Sequence, residues 1–248
     1  MKTLKQSMGK MLASIGYELV PHRMAAAIPL RDHLRRLFAH YDVACVVDVG
    51  ANAGQYGTFL RERVGYTGEI VSFEPVAATF ERLASTIRHD RKWRAYKTAL
   101  GAERTAMPIN VTSGSGHSSF LRPDQAAVER TRLESQVRKS RVVRTEQVEV
   151  DTLDNVLGGI DAKNIYLKMD TQGYDRRVLE GGRHCVDRFV GLQTEAAMQK
   201  LYLEATGYRE MTEFVTSLGF RLSGFFPVNH DTDLGLIECD VVFVRPSP

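Results

Sequence analysis

The sequence predicts an α/β fold: a mainly parallel sheet with helices on both faces and an antiparallel strand near the C-terminal end. Three observations carry this. From residue 43 onward, short apolar runs alternate with stretches of helical periodicity, the pattern of successive βαβ units. The first run, 43–49, ends in the turn Gly50-Ala51-Asn52-Ala53-Gly54, which joins a strand to a helix. Two further strand-like runs, 220–228 and 237–244, flank a polar loop at 229–234 and predict an antiparallel pair.

Each element follows in order. Residues 1–42 read as a helical cap and 43–248 as the main domain. Within the cap, Leu4, Met8, Met11, Leu12 and Ile15 recur at three- and four-residue spacing before Gly16, and Leu30, Leu34, Leu37 and Phe38 repeat the pattern after Pro29. Packing on the domain edge or over the substrate cleft is the reading taken. A membrane-surface helix would need a longer apolar face than the one beside Lys2, Lys5 and Lys10. The main domain then gives a buried strand at 43–49, a helix at 55–64, a strand at 69–73, a helix through Phe80, Leu83 and Ile87, and a strand at 94–98.

An insertion at about 105–150 follows, in which 106–111 and 148–150 are expected to pair. Between them lie the loop Ser113-Gly114-Ser115-Gly116-His117-Ser118-Ser119 and the charged stretch 124–144, read as a solvated helix or lid. Strands at 164–169 and 190–195 resume the alternation.

Composition narrows the function classes. The net charge of +3 over 248 residues, with acidic and basic residues interleaved, argues against a nucleic-acid partner. No apolar run reaches the roughly 18 residues of a membrane span, and the basic N-terminus lacks a signal-peptide core. Cys45, Cys185 and Cys239 are scattered, without metal spacing, as expected of reduced thiols in a cytoplasmic protein.

The chemistry centres on the glycine turn. Gly50 and Gly54 let the chain turn sharply and admit a ligand close to the backbone. Asp48, at the end of the strand before them, suits a cationic ammonium, while Glu74, closing the next strand before Pro75, suits a ribose diol. A pyrophosphate normally takes a Gly-x-Gly-x-x-Gly turn so that helix-start amides face it. Here Ala51, Asn52 and Ala53 fill the middle, so S-adenosylmethionine (SAM) is favoured over NAD. Asp48, Gly50, Asn52, Gly54, Glu74 and Pro75 form the expected SAM site, with Tyr56 over its methionine part.

Opposite this site stand two acids. Asp170 and Glu195 end two later strands, where a pair of carboxylates can position or deprotonate an acceptor, share a proton, or hold a divalent cation. The alternatives are that Asp170 caps the following helix, and that Glu195 or Asp170 pairs with Lys168. His117 is a further candidate base. Ser118, Ser119, Tyr174 and His230 are expected at the acceptor, with turn formation and core packing as alternatives; Tyr202 is a second aromatic candidate, and Trp93 is given no role.

These segments together resemble the FkbM family of SAM-dependent methyltransferases. The resemblance rests on Asp48-Val49-Gly50-Ala51-Asn52-Ala53-Gly54, Phe73-Glu74-Pro75, Val150-Asp151-Thr152-Leu153-Asp154, Leu167-Lys168-Met169-Asp170-Thr171-Gln172-Gly173-Tyr174, Gln193-Thr194-Glu195 and Asp240-Val241-Val242-Phe243-Val244-Arg245, and covers about 43–245. It implies a Rossmann-like class I methyltransferase sheet and O-methylation of a sugar, glycolipid or other small natural product. One departure is visible: Gln172-Gly173 stands where many members carry Glu-Gly. Transfer to nitrogen or a carboxylate, and a non-catalytic SAM-binding scaffold, are the competing readings. A homo-oligomer is compatible with the sequence.

Overall fold

A computed structural model describes residues 11, 16, 17 and 21–246. The expected first helix, at 4–15, lies outside these residues apart from Met11. The second is present as Ile28–His40, with a proline in its first turn, where no backbone donor is needed. It buries Leu34, Leu37 and Phe38 against Val46, Tyr166 and Val242, and the Tyr41 hydroxyl ties its end to the Arg245 carbonyl at 2.9 Å.

The strands are β1 (Cys45–Val49), β2 (Glu69–Phe73), β3 (Trp93–Tyr96), β4 (Ala99–Leu100), β5 (Thr105–Thr112), β6 (Val142–Asp151), β7 (Ile165–Met169), β8 (Phe189–Ala197), β9 (Arg221–His230) and β10 (Leu236–Val244). Seven form one sheet in the order β3-β2-β1-β7-β8-β10-β9. β1, β2, β3, β7 and β8 run parallel. β10 is antiparallel to both β8 and β9. The expected antiparallel pair is therefore present, but its second strand lies inside the sheet and the first forms the edge. β9 also continues to His230, so the polar turn is shorter than expected. Asp231 Oδ1 closes that turn by accepting from the Asp233 and Gly235 amides at 3.0 and 2.7 Å.

Side chains along β1 alternate between the two faces of the sheet, as the strand period requires. Cys45, Val47 and Val49 enter one core with Leu167, Met169, Val178 and Phe243, whereas Val46 enters the other with Leu34, Leu60, Trp93 and Tyr166. Burial on both faces explains why the strand reads as a continuous apolar run interrupted only by Asp48.

The insertion builds a small second sheet, β4-β6-β5. Its expected pairing is observed in antiparallel register, with Met107 opposite Val148, and extends well beyond the predicted bounds. The charged stretch is not a single solvated helix. It forms two short helices, Gln125–Arg130 and Glu134–Lys139, of which the first buries Ala127 and Val128 against Leu201, Tyr202 and Ile237. Two adjacent apolar residues among charges are too few to register as helical periodicity. No described helix is long and apolar enough to cross a membrane. All three cysteines are buried and free of disulfides.

Candidate functional site

A pocket of about 610 Å³, counted to its open mouth, lies beyond the carboxyl ends of β1, β2 and β7. This is where an open α/β sheet collects loop residues from neighbouring strands. Gly50, Asn52, Glu74, Pro75, Ser118, Ser119, Asp170 and Tyr174 all line it, together with an apolar side that includes Val76, Leu100, Ile109 and Phe120. Glycine loop, acid of β2, Ser/Gly loop and acid of β7 thus share one wall.

The loop geometry is set by close approach. Asp170 N donates to the Val49 carbonyl at 3.0 Å, and Gly50 (φ +78°) leaves no room for a side chain between the two strand ends. Asn52 is also left-handed, at φ +49°, a conformation asparagine tolerates better than most residues. Its amide donates to Glu74 Oε2 at 3.0 Å, and Val76 N donates to Glu74 Oε1 at 2.9 Å. Glu74 is nearly buried, and that burial pushes its carboxyl up to about 7 despite the two amides. The Asn52 side-chain oxygen is buried without a hydrogen-bond partner.

Asp48 lies beneath the pocket rather than on its wall. Its side chain is fully buried, with Ser72 Oγ 3.3 Å from Oδ2 and Lys168 Nζ 3.6 Å from Oδ1, which has no hydrogen bond of its own. Ser72 in turn accepts from Trp93 Nε1 at 2.9 Å. Trp93 therefore has a role that its charged sequence surroundings conceal: it orients the hydroxyl facing Asp48. Burial raises the Asp48 carboxyl and Lys168 opposes that shift. Burial pulls the Lys168 ammonium down, but Asp170, Asp48, Asp240 and Glu195 outweigh it and hold it above its ordinary value.

Tyr56 also lies off the pocket wall. Its hydroxyl donates to Gln193 Oε1 at 2.9 Å and its ring lies 5.2 Å from Lys168 Nζ. Gln193 Nε2 then donates to Asp240 Oδ1 at 2.8 Å, and burial raises Asp240 to about 6. Gly54 caps the helix Gln55–Phe59 at φ +89° and packs under Leu83, Thr86 and Trp93.

The acceptor side converges on Gln172. Its Nε2 donates to Asp170 Oδ1 at 2.9 Å and to Glu195 Oε2 at 2.7 Å, while Tyr202 Oη lies 2.9 Å from its Oε1. Lys168 Nζ stands 3.3 Å from the other Asp170 oxygen. Glu195 is raised well above the ordinary carboxylate range by burial, reinforced by Asp170, Glu238 and Asp240. Asp170 does not cap the next helix. The next helix, Asp175–Glu180, has no side-chain cap at its start; Asp175 Oδ1 instead holds the preceding turn by accepting from the Thr171 amide at 2.8 Å and from the Thr171 hydroxyl.

His117 stands in the short turn Ser115–His117, half-buried, with its carbonyl 2.9 Å from the Tyr202 hydroxyl. Burial and Lys139 lower its imidazole, opposed by Asp170 and Gln172. Ser119 is a stitch as well as a wall: its hydroxyl meets the carbonyls of Thr171 and Gln172 at 3.2 and 2.9 Å. Ser118 Oγ accepts from the Thr112 amide at 3.3 Å. Tyr174 packs on Phe120 with ring centroids 4.9 Å apart. His230 is exposed at the end of β9 and does not reach the pocket wall. Among the described residues no three His, Cys, Asp or Glu side chains are grouped to hold a metal ion.

Sequence reasoning missed Asp175, Gln193, Tyr202 as a partner of Gln172, Glu238 and Asp240. Asp240 was visible only as part of a motif and as one of two acids in an otherwise apolar strand, a signal that a buried polar partner must exist.

The methyltransferase FkbM domain family matches residues 48–222. Among solved structures, a methyltransferase FkbM from Methylobacillus flagellatus KT is 15% identical with a TM-score of 0.52, covering 82% of this chain and 44% of that one. This chain thus spans under half the length of that relative. A magnesium protoporphyrin IX methyltransferase from Synechocystis PCC 6803, with bound SAM, is 8% identical with a TM-score of 0.46, over 93% and 87% of the two chains. No curated protein matches the chain. The sheet is that of the Rossmann-like class I methyltransferases.

Proposed function

Because the chain belongs to the methyltransferase FkbM family, we propose that it transfers a methyl group from SAM to a hydroxyl of a sugar, glycolipid or other small natural product. The observation carrying this reading is that the Gly50–Asn52 loop, Glu74 and Asp170 line one pocket, with an acid at each end. Glu74 suits a ribose diol, since each of its oxygens has lone-pair capacity beyond the one amide it accepts. The buried Asn52 side-chain oxygen, which has no hydrogen-bond partner, suits a bound ammonium, and Asp48, ion-paired with Lys168, lies beneath it. The apolar side at Val76, Leu100 and Ile109 suits a flat heterocycle.

When bound, SAM supplies a methyl carbon already activated by its sulfonium. The residues of this chain must align the acceptor oxygen and take its proton. Asp170 presents its carboxylate to the pocket, held on one oxygen by Gln172 and on the other by Lys168. It would take the proton of an acceptor hydroxyl held toward the methyl group that SAM supplies. His117, with its imidazole lowered, is the second candidate proton acceptor; it stands in the turn beside Gly116 and Ser118 but does not itself line the pocket. Glu195 acts through Gln172 rather than on the acceptor directly.

The reading takes 1–42 as a cap over the catalytic domain 43–248. The near-balanced charge supports a small-molecule acceptor over nucleic acid, and the unpaired cysteines support a cytoplasmic setting. Calorimetric titration with SAM, followed by methyl transfer to a panel of hydroxylated glycosides, tests it. Saturable binding is expected, with turnover falling about 10²- to 10⁴-fold in Asp170→Asn. Folded protein that binds no SAM, or an Asp170→Asn variant with full turnover, would overturn it.

A further inference from the structure

The two carboxylates expected to position an acceptor are joined by one amide. Gln172 Nε2 has two hydrogens, and Asp170 Oδ1 at 2.9 Å and Glu195 Oε2 at 2.7 Å take one each. Its oxygen faces the Tyr202 hydroxyl at 2.9 Å. This partner set fixes the amide orientation. A flipped amide would set its oxygen against the oxygens of both acids, where its NH2 now donates. Gln172 is itself 8% exposed and held at φ +55°, between Thr171, anchored by Asp175, and Gly173, packed on Ala205. The bridge is therefore built into the backbone.

A donor shared by two carboxyl oxygens fixes their separation, as a bridging cation fixes the oxygens it binds, but it does so without bringing a charge. We propose that Gln172 is a positioning residue whose amide NH2 occupies the place of a bridging cation between Asp170 and Glu195, so that this chain aims Asp170 without metal. A divalent cation, one of the options the sequence left open for those two acids, is on this proposal replaced by a fixed internal donor. Lys168 provides the positive charge on the far side of Asp170. The inference rests on Asp170 facing the acceptor, as proposed above, but the bridge itself is measured without acceptor or SAM.

Mn²⁺ binding to the full-length protein, followed by electron paramagnetic resonance, tests it. The wild type is expected to show no bound-Mn²⁺ signal that depends on Asp170. Gln172→Glu retains an oxygen for the Tyr202 hydroxyl while replacing the donor by a third carboxylate. It is expected to bind Mn²⁺ about 10- to 100-fold more tightly than wild type, the range over which supporting groups tune metal sites. A merely structural role for Gln172 would predict loss of stability and no new signal. Wild-type Mn²⁺ binding abolished by Asp170→Asn would overturn the proposal, and that measurement needs no folded Gln172 variant. A folded Gln172→Glu protein with no gain in Mn²⁺ affinity would overturn it equally. Failure of SAM titration leaves both results readable, because neither uses the methyl donor.

Discussion

A β-carbon placed on Gly50 would lie 2.1 Å from the main-chain oxygen of Asp170. The glycine turn and the acid after β7 are thus packed backbone to backbone at the pocket floor. Gly50→Ala would combine an overpacked contact with a positive φ, at a cost of about 2–5 kcal/mol. Thermal melts should fall by roughly 5–15 °C for a chain of this size. SAM affinity should fall with stability; a variant that melts and binds like wild type would refute the packing account.

Glu74 predicts two opposite pH dependences. Burial lifts its carboxyl from 4.5 to about 7, so the folded protein holds a proton that the unfolded chain has released. Ligand-free stability should therefore fall as pH rises from 4.5 through about 7, which urea denaturation at several pH values will show. A ribose diol donating to the carboxylate favours the ionised form. S-adenosylhomocysteine affinity should accordingly rise with pH over the same window, with proton release seen by calorimetry in buffers of different ionisation enthalpy. Glu74→Gln should abolish the affinity trend and reduce the stability trend, leaving the part contributed by other raised carboxyls such as Asp240.

Trp93 offers a test of the support beneath Asp48. Trp93→Phe removes the Nε1 donor to Ser72 while keeping an aromatic ring against Gly57. Losing that hydrogen bond should cost about 1–2 kcal/mol in denaturant unfolding. Trp93→Ala should cost about 3–5 kcal/mol, because it also opens a cavity.

Lys168 is the cation at the centre of the buried acids. Lys168→Met leaves Asp48 buried without its counter-ion, which should destabilise the fold by about 3–5 kcal/mol near neutral pH. Burial already raises Asp48 from 3.8, so the variant can take up a proton as pH falls. The deficit relative to wild type should therefore shrink toward acid pH. A deficit independent of pH would point to lost packing instead.

Local pattern made some of this readable and long-range pairing hid the rest. The strand at 43–49 and its turn were legible because Val46, Val47 and Val49 are apolar on both faces and Gly50 and Gly54 punctuate them. Glu74 was legible because it closes the next strand. Trp93 was not: its neighbours in sequence are charged, and only the parallel pairing of β2 with β3 brings its indole to Ser72. The Gln172 departure was visible as a letter, yet its meaning depends on Glu195 and Tyr202, 23 and 30 residues away. Ala127 and Val128 read as part of a charged run because their apolar partners lie at 201, 202 and 237.

The placement of β10 between β8 and β9 has a consequence for biosynthesis. β9 leaves the ribosome before the strand that will hold it, and β8 waits with one bare edge through the whole interval. Neither can complete its ladder until residues 236–244 have emerged and threaded into the gap. The nascent chain thus carries unsatisfied strand edges until residues 236–244 have emerged, the state in which a sheet protein is most exposed to mispairing with its neighbours.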